Sequence, residues 1–119
     1  MKNKEDIKSL ALELAAAGAE KKAEDIVLLD VDGLTSVADY FVVFGARNAK
    51  QAQSIADEIE DAGARAGLPV LHREGYRTGD WILIDFGDIL CHVFAGDTRE
   101  FFGLEALWKD APSLAYEGD

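Results

Sequence analysis

Several residues in this chain have types and spacings that chemistry can use. Asp85 and His92 lie on the two arms of a hairpin whose turn is Gly87-Asp88. A two-residue Gly-X connection sets strand register through its own geometry. Phe86 then faces Ile89, and the pairs continue Asp85 with Leu90, Ile84 with Cys91, Leu83 with His92, Ile82 with Val93 and Trp81 with Phe94. In that register Asp85 and His92 are diagonal neighbours on one face, within reach of a long side chain. They read as a catalytic base with its orienting acid, as a structural pair beneath the last helix, or as the polar part of a partner surface anchored by Trp81 and Phe94. No nucleophile accompanies them, because Cys91 points to the opposite face.

Other candidates are isolated. Asp30-x-Asp32 resembles the paired carboxylates that hold a divalent cation in phosphoryl transfer. No Gly-Ser phosphate loop precedes it, and Asp32-Gly33 has an adequate role as a turn. Gly45-Ala46-Arg47-Asn48 puts backbone amides and a cation at a helix start, where an anion can bind, although a plain helix cap accounts for the same residues. His72, His92 and Cys91 fall outside zinc-ligand spacing, so no metal and no cofactor is expected. Trp108 with Phe101, Leu104 and Leu107 has the spacing of a helix packed on a sheet.

The hairpin dictates much of the architecture. One face, Ile82, Ile84, Phe86, Ile89, Cys91 and Val93, is wholly apolar and belongs to a core. The other carries Trp81, Leu83, Asp85, Leu90, His92 and Phe94. Upstream, Ile7, Leu10, Ala11, Leu14 and Ala15 predict a helix over about 4–21, capped by Asn3. Ile26 to Val31 reads as a strand, and Tyr40 to Phe44 as a strand buried on both faces near the sheet centre. Asn48 with Gln51 forms a capping-box pattern opening a helix to about Ala66, which Gly67 and Pro69 end. Val70 to Glu74 is a further strand, and the strand-helix-strand spacing suggests a parallel crossover. A last helix is expected from Asp97, boxed by Glu100, to Trp108, before Pro112. The expected fold class is α/β (α+β): one domain, residues 1–112, with a mixed sheet of about five strands flanked by helices in the order α-β-β-α-β-β-β-α, and a flexible tail at 113–119.

Length and charge narrow the function. The 119 residues suit one domain, with 49% hydrophobic and 29% charged residues. Against 23 acidic residues there are 12 basic ones, a net charge of −11. Nucleic-acid binding neutralises phosphates with Lys and Arg, so this surface as a whole repels a polyanion, and it disfavours an acidic membrane leaflet. Basic proteins, cations or neutral molecules remain as partners, with plain solubility as the competing reason for the charge. The lone Cys91 excludes an intrachain disulfide and suits a reducing compartment. No run of about 18 apolar residues exists to span a membrane, and the acidic start, Met1-Lys2-Asn3-Lys4-Glu5-Asp6, is unlike a secretory or transit signal. The expected location is the cytoplasm.

Taken together, Asp39-Tyr40-Phe41-Val42-Val43, Gly45, Ile55-Ala56-Asp57, Glu74-Gly75, the run Trp81 to Asp88, His92-Val93-Phe94, Leu104-Glu105-x-Leu107-Trp108 and Asp110-Ala111-Pro112 resemble the ribosomal silencing factor, or Iojap, family. The resemblance covers about residues 4–112. It implies a fold like that of nucleotidyltransferases without their catalytic carboxylates, and a protein that is not an enzyme. It implies binding to the large ribosomal subunit through large-subunit ribosomal protein fourteen, steric exclusion of the small subunit, lowered translation when nutrients are scarce, and a homodimer when free. It places partner binding on Trp81, Leu83, Asp85, Phe86, Asp88 and His92. Leu90 and Phe94, from the same mixed face, complete the expected set. One departure stands out: where the family often has a Thr-Gly-Thr-Ser type stretch, this chain has Phe44-Gly45-Ala46-Arg47-Asn48, with the hydroxyls gone and a positive charge added. The alternatives are a large-subunit assembly factor, or a metal-dependent nucleotidyl or phosphoryl transferase using Asp30, Asp32 or Asp85.

Overall fold

Asn3 opens the first helix. Its Oδ1 accepts from the Asp6 amide at 2.9 Å while the Asp6 carboxylate accepts from the Asn3 amide, so two otherwise orphaned donors are satisfied reciprocally. The computed structural model describes residues 3–117. Its elements are α1 (Lys4–Glu20), β1 (Glu24–Asp30), β2 (Tyr40–Ala46), α2 (Ala49–Arg65), β3 (His72–Glu74), β4 (Trp81–Asp85), β5 (Ile89–Ala95), α3 (Thr98–Phe102), α4 (Leu104–Leu107) and β6 (Ser113–Ala115). They form one mixed sheet in the order β3-β4-β5-β2-β1-β6. Only β2 and β5 pair in parallel; every other neighbouring pair is antiparallel.

The hairpin register is the one its turn residues imply, from Trp81 opposite Phe94 to Asp85 opposite Leu90. Gly87 supplies the positive φ of 97° that the first turn position requires. Tyr40 to Phe44 is buried along its whole length at the sheet centre, as its continuous apolar run predicts.

Three expectations change. The sheet has six strands rather than five, because Ser113–Ala115, expected in a frayed tail, pairs antiparallel with β1. The strand expected at Val70 shrinks to His72–Glu74 and pairs antiparallel with β4 at the sheet edge. The segment after α2 therefore runs parallel to β2 but is separated from it by β4 and β5. The single last helix breaks into α3 and α4 at Gly103, whose φ is 61°, and Asp97 makes no side-chain cap.

Alternation along the central strands divides the apolar residues into two cores. Tyr40, Val42 and Phe44 of β2, with Ile89, Cys91 and Val93 of β5 and Ile82, Ile84 and Phe86 from the β4 side, pack under α1 and α2. Phe41 and Val43, with Leu90 and Phe94, face the other way and are joined by Leu29, Val31, Leu104 and Ala111. The helices approach the first face closely. A Cβ on Gly18 of α1 would fall inside the Phe44 ring, which is fully buried and has nowhere to move. Gly18→Ala should therefore destabilise the protein by about 1–3 kcal/mol through overpacking, although alanine favours a helix by about 1 kcal/mol over glycine. Urea denaturation checks this, and a stabilised variant would show that α1 sits further from the sheet.

Candidate functional site

The second face of the sheet gathers the aromatic residues. Trp81 lies at its centre. Its Nε1–H donates to His92 Nδ1 at 3.1 Å, and its ring sits 5.0 Å from Phe94 and 4.7 Å from Phe102, centroid to centroid. Phe41 meets His92 edge-on at 5.1 Å and Trp108 at 5.2 Å. These offset and edge contacts are the arrangements that ring quadrupoles favour. The accepted hydrogen bond makes Nδ1 the unprotonated nitrogen of His92, so the proton resides on Nε2. That Nε2 is buried and has no hydrogen-bond partner. With only apolar rings around it, the imidazole stays neutral, and burial lowers its pKa from 6.5 to about 4.

This geometry decides among the readings of Asp85 and His92. They do not bond to each other. Asp85 Oδ1 accepts from the Gly87 amide at 2.7 Å and so pins the hairpin turn, while His92 is tied to Trp81. Neither is arranged as a base with its orienting acid. Cys91 is fully buried on the other face, and burial pushes its thiol well above the usual range. At Asp30 and Asp32 the position between the carboxylates is taken by the Lys4 ammonium, at 2.9 and 3.5 Å. His72 forms an exposed pair with Glu74 at 3.1 Å.

The expected partner-binding residues separate into three groups. Trp81, Leu83 and Asp85 are half-buried along β4, with Trp81 and Leu83 packed against the second core. Asp88 is exposed at the hairpin turn, beside Asp39, whose carboxyl is held above its ordinary range by burial and by the Asp32 and Asp88 charges. Leu90, His92 and Phe94 are buried, so they support the surface from beneath and are not part of it. Phe86 is a correction of a different kind. It packs in the first core, in the space a side chain at Gly63 of α2 would need, on the face opposite Trp81. No partner can meet Phe86 and Trp81 on one surface.

Three further apolar residues, which helical spacing assigned elsewhere or passed over, are exposed on α3 and α4. Phe101 is 81% exposed, Leu107 77% and Phe102 44%. Only Leu104 and Trp108 of the expected helix-on-sheet set turn inward. The break at Gly103 leaves two short helices that cannot bury every apolar residue they carry. The adjacent pair Phe101-Phe102 followed by glycine was the available signal, because consecutive helical residues do not share a face. Phe101 and Phe102 stack edge-on at 5.2 Å, and Phe102 continues onto Trp81. An exposed aromatic and aliphatic surface on a rigid sheet is the ordinary mark of a protein-docking site.

The chain has clear relatives among known proteins. A family model described as "Ribosomal silencing factor during starvation" matches residues 4–118. The chain is 45% identical to the ribosomal silencing factor RsfS of Bacillus subtilis over 105 residues, 88% of this chain and 89% of the relative. It is 32% identical to the chloroplastic protein Iojap of Zea mays over 89% of this chain but 46% of that longer protein. A solved structure from Chromobacterium violaceum superposes with a TM-score of 0.82 at 28% identity, covering 98% of this chain and 95% of the other. One from Bacillus halodurans gives 0.77 at 34% identity, covering 92% and 97%.

The buried imidazole gives the site a pH signature. Unfolded, His92 takes up a proton below about pH 6.5; folded, it resists until about pH 4. Its stabilising contribution is complete above the unfolded pKa and is lost as pH falls from about 6.5 to 4. By denaturation at each pH, the wild type should lose roughly 2–3 kcal/mol more than His92→Gln across that window. Parallel pH profiles would mean that His92 is not buried as a neutral ring.

Proposed function

The chain belongs to the ribosomal silencing factor family, and from that premise we propose that it acts by occupancy: the Trp81 face docks on the large ribosomal subunit and excludes the small one. The partner is large-subunit ribosomal protein fourteen, as the family resemblance implies. The observation that carries this reading is the exposed Phe101 beside the Trp81–Phe102 stack, with the exposed Leu107 on the following helix α4. Aromatic residues in such clusters supply most of the energy at interfaces. The net charge of −11 adds attraction toward a basic protein and speeds encounter. No step of this mechanism makes or breaks a bond. That agrees with an Asp85 carboxylate committed to the Gly87 amide and a His92 committed to Trp81. In the free protein a second copy covers the apolar surface, so homodimer and ribosome-bound forms compete. As part of this reading we assign the protein to the cytoplasm.

Exposed residues allow a test that spares the fold. Phe101→Ala combined with Leu107→Ala should change stability by no more than about 0.5 kcal/mol. Affinity for purified large subunits should fall at least about 30-fold, the loss of roughly 2 kcal/mol typical of hot-spot residues. Co-sedimentation with separated subunits measures it, with the small subunit as the negative control. A folded double variant that binds large subunits as tightly as wild type would remove this face from the mechanism.

A further inference from the structure

Within the acidic surface lies a basic cluster. The turn that ends α1 and the turn that begins α2 meet at one edge of the fold, around a cleft of about 440 Å³ lined by Lys21, Lys22, Arg47 and Lys50. These are four of the chain's 12 basic residues. Among the described residues none of the four makes an ion pair, whereas Lys4, Arg65, Arg73 and Arg99 each hold a carboxylate. Glu20 is the one acidic residue in the lining.

The cleft is built rather than accidental. Gln51, 8% exposed, joins the two turns: its amide nitrogen donates to the Lys21 and Lys22 carbonyls, both at 3.1 Å, and its Oε1 accepts from the Arg47 amide at 2.6 Å. This replaces half of the capping box expected at Asn48, whose side chain still accepts from the Gln51 amide.

Two placements run against local preference. Both long helices end in the same hydrogen-bonding motif, with the amide two residues past the cap returning to Gly18 in α1 and to Gly63 in α2. In α2 the left-handed position is Gly67, at φ 82°; in α1 it is Lys22, at φ 64°. A lysine there is strained where glycine is not. Arg47 and Lys50 flank the start of α2, where the helix dipole disfavours cations, and no acidic residue occupies the first turn. Lys21 and Lys22 alone would be explained by the C-terminus of α1; Arg47 and Lys50 would not. A bound anion turns the charge cost of Arg47 and Lys50 at the start of α2 into attraction, while the backbone strain at Lys22 is unchanged by it.

We propose that this cleft binds phosphates of the ribosomal RNA backbone on the subunit to which the protein docks. The proposal rests on the docking reading above. The two surfaces share one end of the sheet. Arg99 of α3 donates to the carbonyl of Glu24, two residues after Lys22, at 3.4 Å. With −11 overall the protein repels free RNA, so the contact forms once the aromatic face has docked and fixes the orientation of the docked protein.

The test compares Lys22→Gln/Arg47→Gln/Lys50→Gln with a control of equal charge change, Lys8→Gln/Arg65→Gln/Arg77→Gln, binding to purified large subunits at 50 and 200 mM salt. Each phosphate contact contributes roughly 0.7 to the slope of log affinity against log salt. Losing three should flatten the slope by about 2, so the advantage of wild type over the cleft variant shrinks about 16-fold between the two salts. The control variant should keep the wild-type slope. Equal slopes for the two variants would overturn the proposal while leaving the docking reading intact. A wild type that fails to bind the subunit at either salt would instead defeat the docking reading, and this proposal with it. Lys22→Gly should raise Tm and weaken subunit binding several-fold at 50 mM salt; a raised Tm with unchanged binding would remove Lys22 from the site. Cleft variants that lose affinity for inorganic tripolyphosphate but keep the subunit salt slope would assign the cleft to a small polyphosphate and overturn the RNA assignment.

Discussion

The parallel pair β2 and β5 must be buried on both faces, and the rest of the molecule follows from that requirement. Their residues are apolar on both sides, from Tyr40 to Phe44 and from Ile89 to Val93, with His92 the single polar member. Exposing either face would forfeit roughly 1.5–3 kcal/mol for each large side chain left in water. One face receives two helices of 17 residues each, which cover it with Ile7, Leu14, Ile55 and Ile59 set among alanines and glycines. The other receives only α3 and α4, five and four residues long. Those short helices suffice to bury Leu104 and to shield Phe41, Phe94 and His92. Their own outer residues, Phe101 and Leu107, are left in solvent. The asymmetry between the two covers leaves the apolar surface that we propose for docking.

The same constraint explains why the polar residues of that face are structural. Trp81 and His92 are in mutual hydrogen bond inside an aromatic layer, which satisfies the indole donor without admitting water. The remaining imidazole N–H is left unpaired, which carries a penalty of about 1–3 kcal/mol. The pair orients the Trp81 ring, and the ring in turn carries Phe102. A surface held by buried partners binds without first having to order itself, which reduces the entropic loss of association.

Much of this was legible in the residues. The hairpin register needed only Gly87-Asp88, because a two-residue turn admits one pairing and the Ile82, Ile84, Ile89, Cys91 alternation admits one core face. Both long helices were marked by caps and periodicity. The failures had local causes. Gly103 falls inside the helix predicted over Asp97 to Trp108, but its left-handed conformation ends α3, and Phe101 and Leu107 on either side of the break are exposed. Ser113–Ala115 carries no strong strand pattern, and it becomes a strand because β1 offers it an open edge. Asp85 and His92 were near enough to bond by register alone, but their hydrogen bonds go to the turn amide and to an indole. Sequence spacing shows which groups can meet; competition among donors decides which do.

The thinly covered face of the sheet is the one we propose meets the ribosome. Hydroxyl-radical footprinting of the protein, free and bound to purified large subunits, tests it most directly. Side chains of α3 and α4, above all Phe101 and Leu107, should lose reactivity on binding, while Glu13, Ala16 and Arg65 on the outer side of α1 and α2 should not. Protection confined to α1 and α2, with Phe101 and Leu107 as reactive in the complex as in the free protein, would contradict it.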